Sequence, residues 1–188
     1  MTMTNEEKML AGLPHDALDP ILLDKLAITK DLIWEYNRLR PSDKEARYAL
    51  IRKIIGKTGN TFTFMQPFYC DYGSHIEVGD CFFANYNFVV LDEAKVTIGH
   101  HCFIAPNVSI YTVGHPTDPI ARNQNIEIAK PVTIGDNVWI GGNVTILPGV
   151  TIGSNVTIGA GSVVVKNVPD NCVAVGYPCQ PIKFLTTK

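Results

Sequence analysis

From Ile98 to Val164 the chain keeps a six-residue beat. Ile98, Ile104 and Ile110 set it, and after an interruption it returns at Ile134, Ile140, Ile146, Ile152, Ile158 and Val164. Val138, Val144, Val150 and Val156 fall between these positions. Gly135, Gly141, Gly153 and Gly159 follow directly after the key aliphatic, and Asn137, Asn143 and Asn155 recur. A weaker stretch of the same kind covers Val78-Gly79 and Ala84-Asn85, with a two-residue slip before Ile98. A period of six matches neither the 3.6 of a helix nor a hairpin meander, whose turns break the beat. An alternating sandwich strand would not hold phase over consecutive hexads. The period predicts a mainly β fold, a parallel β-helix of hexapeptide repeats in which each hexad makes one short strand and one corner. One aliphatic per hexad points inward onto its counterpart in the next coil. Small residues and asparagine take the corners, where positive φ is often needed.

The first third has a different grammar. Of the 34 charged residues, 19 lie in positions 1–57, which predicts solvent-exposed helices. Asp19-Pro20 reads as an N-cap with proline at the first helical position, followed by Leu22, Leu26, Ile33 and Tyr36 at helical spacing until Pro41. Ser42-Asp43-Lys44-Glu45 reads as a capping box, with Ala46, Ala49, Leu50 and Ile54 as the apolar face of a second helix that Gly56 ends. The expected organisation is an N-terminal helical module over 1–57 and a β-helix over 58–188, with a loop insertion at about 112–130 and a C-terminal tail.

Hydrophobic residues at 46% exclude a disordered chain, and a formal charge of -2 argues against nucleic acid or anionic membrane as partner. No apolar run approaches a membrane span, and the polar, acidic start carries no signal region, so a cytoplasmic protein is expected. Five cysteines, an odd number at spacings unlike a metal knuckle, are read as reduced and apolar, with no metal site.

The beat breaks between Ile110 and Ile134. Prolines exclude regular strand across Gly114-His115-Pro116-Thr117-Asp118-Pro119, and a repeat protein carries such an insert as a loop on one face. His115 lies at the root of that loop. By position alone it is either a proton acceptor on a working face or a solvent-facing histidine.

Several segments resemble the maltose and galactoside O-acetyltransferases among the hexapeptide-repeat acyltransferases. They are Lys8-Met9-Leu10-Ala11-Gly12, Cys70-Asp71-Tyr72-Gly73, Phe83-Ala84-Asn85-Tyr86, Ile104-Ala105-Pro106-Asn107-Val108 and Thr112-Val113-Gly114-His115-Pro116. The stretch Lys130-Pro131-Val132 through Ile140-Gly141-Gly142 and then Gly176-Tyr177-Pro178 continue the likeness over nearly the whole chain. The resemblance implies a left-handed prism, a homotrimer with sites at subunit interfaces, acetyl-CoA as co-substrate and a sugar acceptor. By it His115 is the general base, and Asn85 holds the sugar or the developing charge, with a plain corner asparagine as its structural alternative. Asp71, Glu93 and Asp16 contact the acceptor, Glu93 standing where galactoside-acetylating relatives carry Asp. For coenzyme A the resemblance implies the amide of Gly142 at the oxyanion and Ala160 and Val165 along the pantetheine. Lys166, Gln180 and Lys183 then face the phosphates. Gln180 replaces an expected arginine and so removes a charge and a forked donor. Trp139 either stacks in that groove or fills a corner.

Three other readings compete. The γ-type carbonic anhydrases share the prism and bind zinc through histidines, but the position five after His115 is Ile120 and no later histidine exists. The remaining two are an acetyltransferase of the same fold acting on a non-sugar hydroxyl, and a non-catalytic β-helix trimer.

Overall fold

In the computed structural model the repeat coils into a three-sided prism. The structure describes residues 2–186; Met1, Thr187 and Lys188, at the ends of the two expected regions, lie outside the described residues. The first face stacks Lys57–Thr58, Ile76–Val78, Val96–Ile98, Val132–Ile134 and Thr151–Ile152 in parallel. The second stacks Phe62–Phe64, Phe82–Ala84, Phe103–Ile104, Trp139–Ile140, Thr157–Ile158 and Cys172–Val175, with Gln180–Phe184 added antiparallel at its end. The third stacks Phe68–Cys70, Phe88–Leu91, Ser109–Tyr111, Thr145–Ile146 and Val163–Val164.

The beat residues sit in register. Ile98 aligns with Ile134 and Ile152, Ile104 with Ile140 and Ile158, and Ile110 with Ile146 and Val164. All of them are buried, so each strand contributes one inward aliphatic to a continuous core. Asn137, Asn143 and Asn155 adopt φ of 56°, 58° and 57° at the corners. There Asn137 Nδ2 donates to Asn155 Oδ1 at 3.1 Å, and Asn155 Nδ2 to Asn171 Oδ1 at 2.9 Å. Gly141 is required by close approach, since a Cβ there would lie 2.5 Å from the Ala160 amide nitrogen.

The earliest coils are filled by aromatics. Phe64 packs against Phe68 and Phe82 with ring centroids 4.9 and 5.0 Å apart, and Phe68 against Phe88 at 5.9 Å. The prism therefore begins at Lys57, well before the aliphatic beat becomes audible.

Among the described residues there are four helices: α1 (Asn5–Leu10), α2 (Pro20–Arg38), α3 (Lys44–Ile54) and α4 (Pro119–Arg122). Asp19 caps α2 by accepting from Ile21 N, with Pro20 at its first turn. The expected capping box of Ser42 and Glu45 does not form. Asp43 is the cap, accepting from Ala46 N at 3.2 Å, and its carboxylate also meets the positive end of the helix. The buried face of α3 is Leu50, Ile51 and Ile54, while Ala49 is exposed, because at about 100° per residue it falls on the opposite side of the helix. Gly56 does not end α3 by capping it: Ile55 already turns extended, and a Cβ at Gly56 would overlap the Ser74 carbonyl. Both long helices share the prism core through Ile33, Tyr36, Leu50, Ile51 and Ile54, and Tyr36 Oη donates to Phe64 O at 2.6 Å.

Three lengthenings of the hexad occur at one edge, where the last coil is also shortened, Val164 to Val168 spanning four residues with Val168 bridged to Ile152. Cys70 to Val78 and Val90 to Ile98 each span two residues more than a hexad, and their ends are paired in register. The long insertion after Ile110 leaves at the same edge, between the third and first faces. It is an antiparallel arm: Val113–Gly114 pairs with Ile126–Ala129, and His15–Asp16 from the N-terminal region adds a third strand. Gly114 is thus strand, contrary to the proline argument, which holds for the residues after it. Among the described residues no helix is long and apolar enough to cross a membrane. The five cysteines are unpaired thiols.

Candidate active site

The arm sets the imidazole of His115 at the widened edge. His115 Nδ1 lies 3.3 Å from the carbonyl of Ile126, so a proton on Nδ1 can be donated there and the lone pair is left on Nε2. Nε2 is 3.5 Å from Oε1 of Glu127, and the side chain stays about half exposed. Glu127 alternates with Ile126 and Ile128 on the arm's central strand. Burial raises the Glu127 carboxyl above its usual range, His115 and His15 pull it back, and Asp71 pushes it further up. A carboxylate beside an imidazole stabilises the charge that forms when the ring accepts a proton.

Below the arm, the two widened corners carry acids. Asp92 is fully buried, and its Oδ1 accepts from the amides of Asp71 and Tyr72 at 3.0 and 2.9 Å. Burial outweighs those bonds and pushes it up to about 6. Glu93 is buried too. Burial first, and then the neighbouring Asp71, push it up to about 9. Glu93 therefore holds a proton at neutral pH and donates it to Asp71, whose own carboxyl is raised by burial and held down by that hydrogen bond and by Lys30. Glu93 Oε2 has no hydrogen-bond partner. The pair offers a hydroxyl-rich ligand both donor and acceptor atoms.

Asp16 lies on the adjoining strand, paired with Ile126, and is exposed. Its Oδ1 accepts from its own chain at Leu18 N, 2.9 Å away. One chain thus gathers His115, Asp71, Glu93 and Asp16 at a single edge.

Asn85 is elsewhere. It follows Phe82–Ala84 at the edge between the second and third faces, a whole strand away, roughly 10–15 Å. The corner position with positive φ belongs to Asn87, not Asn85, whose Oδ1 accepts from Tyr86 N at 2.8 Å. Gly142 and Ala160 stack along that same second edge in successive coils. Among the described residues their backbone N–H groups donate to no protein atom, leaving two free donors on an accessible edge. Val165 and Lys166 return to the edge of His115, two coils further along, and both are exposed. Gln180 and Lys183 lie exposed on the terminal antiparallel strand. Trp139 fills no corner: it points outward from the second face in register with Phe103 and is 56% exposed.

Sequence reasoning missed Glu127, Asp92 and the role of His15. The apolar–acid–apolar run Ile126-Glu127-Ile128 was a strand signal inside the insertion. Nothing local joins it to His15.

Comparison with known proteins agrees with this fold. The model for the maltose acetyltransferase hexapeptide capping motif matches residues 8–59, and that for the bacterial transferase hexapeptide (six repeats) matches residues 131–166. Galactoside O-acetyltransferase of Escherichia coli (strain K12) is 42% identical over 188 residues, covering 100% of this chain and 93% of the relative. The crystal structure of a maltose O-acetyltransferase from Clostridium difficile 630 superimposes with TM-score 0.98 at 47% identity over 100% of both chains. A galactoside acetyltransferase in complex with coenzyme A gives TM-score 0.95 at 40% identity, covering 98% of this chain and 92% of that one. The chain belongs to the hexapeptide-repeat acetyltransferases of the maltose and galactoside O-acetyltransferase type, and it is an acetyltransferase.

Proposed function

We propose that the protein moves the acetyl group of acetyl-CoA to a hydroxyl of a sugar, with His115 as general base and no acyl-enzyme. The observation that carries this reading is the pairing at His115. Nδ1 faces a carbonyl and Nε2 faces Glu127, so the ring is oriented to take a proton and the resulting charge has a partner. The acceptor hydroxyl gives its proton to Nε2 as its oxygen bonds to the thioester carbon. Collapse of the tetrahedral adduct then breaks the carbon–sulfur bond, and the departing thiolate takes the proton from the ring. Asp71 and Glu93, with Asp16 nearby, hold the other sugar hydroxyls.

The free amide of Gly142 suits the oxyanion, and the free amide of Ala160 suits a pantetheine carbonyl. Val165 lies along the pantetheine, and Lys166, Lys183 and Gln180 face the phosphates. Asn85, Gly142 and Ala160 occupy a different edge from His115, which supports a site built from two copies in a closed homotrimer. The odd number of cysteines, at spacings unlike a disulfide framework, fits a cytoplasmic setting.

The test is thiol release from acetyl-CoA with glucose, maltose or a thiogalactoside. A His115→Ala protein should keep its oligomeric state and lose about 10²–10⁴-fold in turnover. Unchanged turnover refutes the base assignment. Acetylation of non-sugar hydroxyls alone moves the acceptor class.

A further inference from the structure

Asp92 is the most deeply buried carboxylate among the described residues, and the proposed chemistry does not use it. Its Oδ1 accepts from the amides of Asp71 and Tyr72 at 3.0 and 2.9 Å, while its Oδ2 meets no donor. Taking a carboxyl out of water is costly unless its oxygens are satisfied. At other corners the acid or amide that accepts from the neighbouring coil keeps its access to solvent. Asp136 takes His100 N, Asn167 takes Thr151 N and Asp170 takes Ser154 N, and all three acceptors are exposed. A buried acid is therefore not this fold's ordinary way to hold a corner.

What Asp92 holds is the acceptor end of the site. Asp71, Tyr72 and His75 belong to the first widened corner, and Asp92 and Glu93 to the second, one coil along. The first corner grips Asp92 twice, through the two amides on its side chain and through His75, whose Nδ1 donates to the Asp92 carbonyl at 2.6 Å. Thr112, also fully buried, ties the second corner to the arm. Its Oγ1 accepts from Ala94 N at 2.9 Å and donates to Leu91 O at 2.7 Å, three residues before His115. On the other side Thr29 of α2 donates to Tyr72 O at 3.1 Å, and Tyr72 packs with Met9 and Leu22. The second corner is thus clamped between the first corner and the root of the arm, and a shift of Asp92 would move Asp71 and Glu93 relative to His115.

We infer that Asp92 is a positioning residue for the acceptor: its buried carboxyl ties the turn of Asp71 to the turn of Glu93 and so fixes the spacing of the acid pair that binds the sugar hydroxyls. This rests on the sugar-acetyltransferase reading above and adds to it a residue that touches neither substrate. Every bond of Asp92 lies inside one protomer, so the role does not depend on how copies of the chain meet. Misplacing such binding groups by about 1 Å costs up to about a hundredfold.

Steady-state thiol release from acetyl-CoA with glucose and maltose, well below the melting temperature of each protein, tests it. Asp92→Ala should raise KM for the acceptor at least about tenfold and leave KM for acetyl-CoA within about twofold of the parent. Asp92→Asn keeps an oxygen in the place of Oδ1 and should return the acceptor KM to within about threefold of the parent. His75→Phe keeps a ring against Tyr72 at a half-buried position and loses the bond to the Asp92 carbonyl. It should raise the acceptor KM about two- to fivefold, and it carries the test where Asp92→Ala does not fold. An unchanged acceptor KM in Asp92→Ala, or in His75→Phe where Asp92→Ala does not fold, overturns the inference. So does a loss shared equally by both substrates, or one that Asp92→Asn does not relieve, since either marks general damage to the fold. A parent that acetylates another hydroxyl compound and no sugar overturns the sugar reading alone, and the same KM comparison on that compound decides the role of Asp92.

Discussion

His15 and Glu127 face each other across an antiparallel strand pair, with Nε2 of the histidine 3.9 Å from Oε2 of the carboxylate. The other oxygen of that carboxylate looks at His115. His15 is only 2% exposed, and its Nδ1 lies 3.3 Å from Leu13 O. The N-terminal region thus reaches the proposed base through one shared acid.

Glu127→Gln keeps the shape and removes the charge that stabilises the imidazolium. It should lower kcat by about ten- to a hundredfold with little change in KM for acetyl-CoA. His15→Phe should lower kcat in the same direction but less, by letting Glu127 drift. Steady-state kinetics of the two proteins decides this, and equal activity of Glu127→Gln and parent removes the acid from the mechanism.

Glu93 supplies a pH prediction. Its carboxyl is raised to about 9 in the fold, so the folded state keeps a proton that the unfolded chain releases near the ordinary carboxyl range. The stability tied to that proton is fully present below the unfolded value and disappears as pH rises through about 9. Parent protein should lose acceptor affinity and melt earlier above that pH, when two adjacent carboxylates repel. Glu93→Gln retains the donor to Asp71 and should flatten both profiles. Melting and KM measured from pH 6 to 10 check it; identical alkaline losses in both proteins refute the shared proton.

Edge placement gives a complementation test. His115→Ala and Asn85→Ala chains should each be nearly inactive. Unfolded, mixed and refolded together, they should recover about a quarter of parental activity, because sites drawing one intact edge from each neighbour reappear. A mixture that stays as inactive as its components places both residues in one chain's site.

Close packing between coils makes Gly141→Ala costly, about 1–3 kcal/mol, since the new Cβ would sit 2.5 Å from the Ala160 nitrogen. Gly114→Ala meets nothing within 4 Å, and its effect on stability should be small. Denaturant melts of the two compare directly.

The hexad beat named the inward aliphatics, and corner asparagines foretold left-handed backbone, because both follow from a strand-and-corner unit repeated in phase. The beat faded before Ile98 for a physical reason: Phe62, Phe64, Phe68, Phe82 and Phe88 fill wider coils, and a ring occupies the room of several aliphatics. His115 was legible as the root of an interruption. Its partner Glu127 had only the strand signal of Ile126-Glu127-Ile128, and His15, which meets the same acid from more than a hundred residues away, left no local spacing. Asn85 was legible by resemblance, whereas its edge became visible only once the coils were closed.

All three lengthenings of the hexad leave the prism along one edge, and the asparagine ladder and aliphatic stack run uninterrupted elsewhere. Binding preference and mechanical integrity are therefore written in separate parts of the chain. Residues in the widened corners and the arm can be exchanged to suit a new acceptor while the spine that holds them keeps its melting temperature.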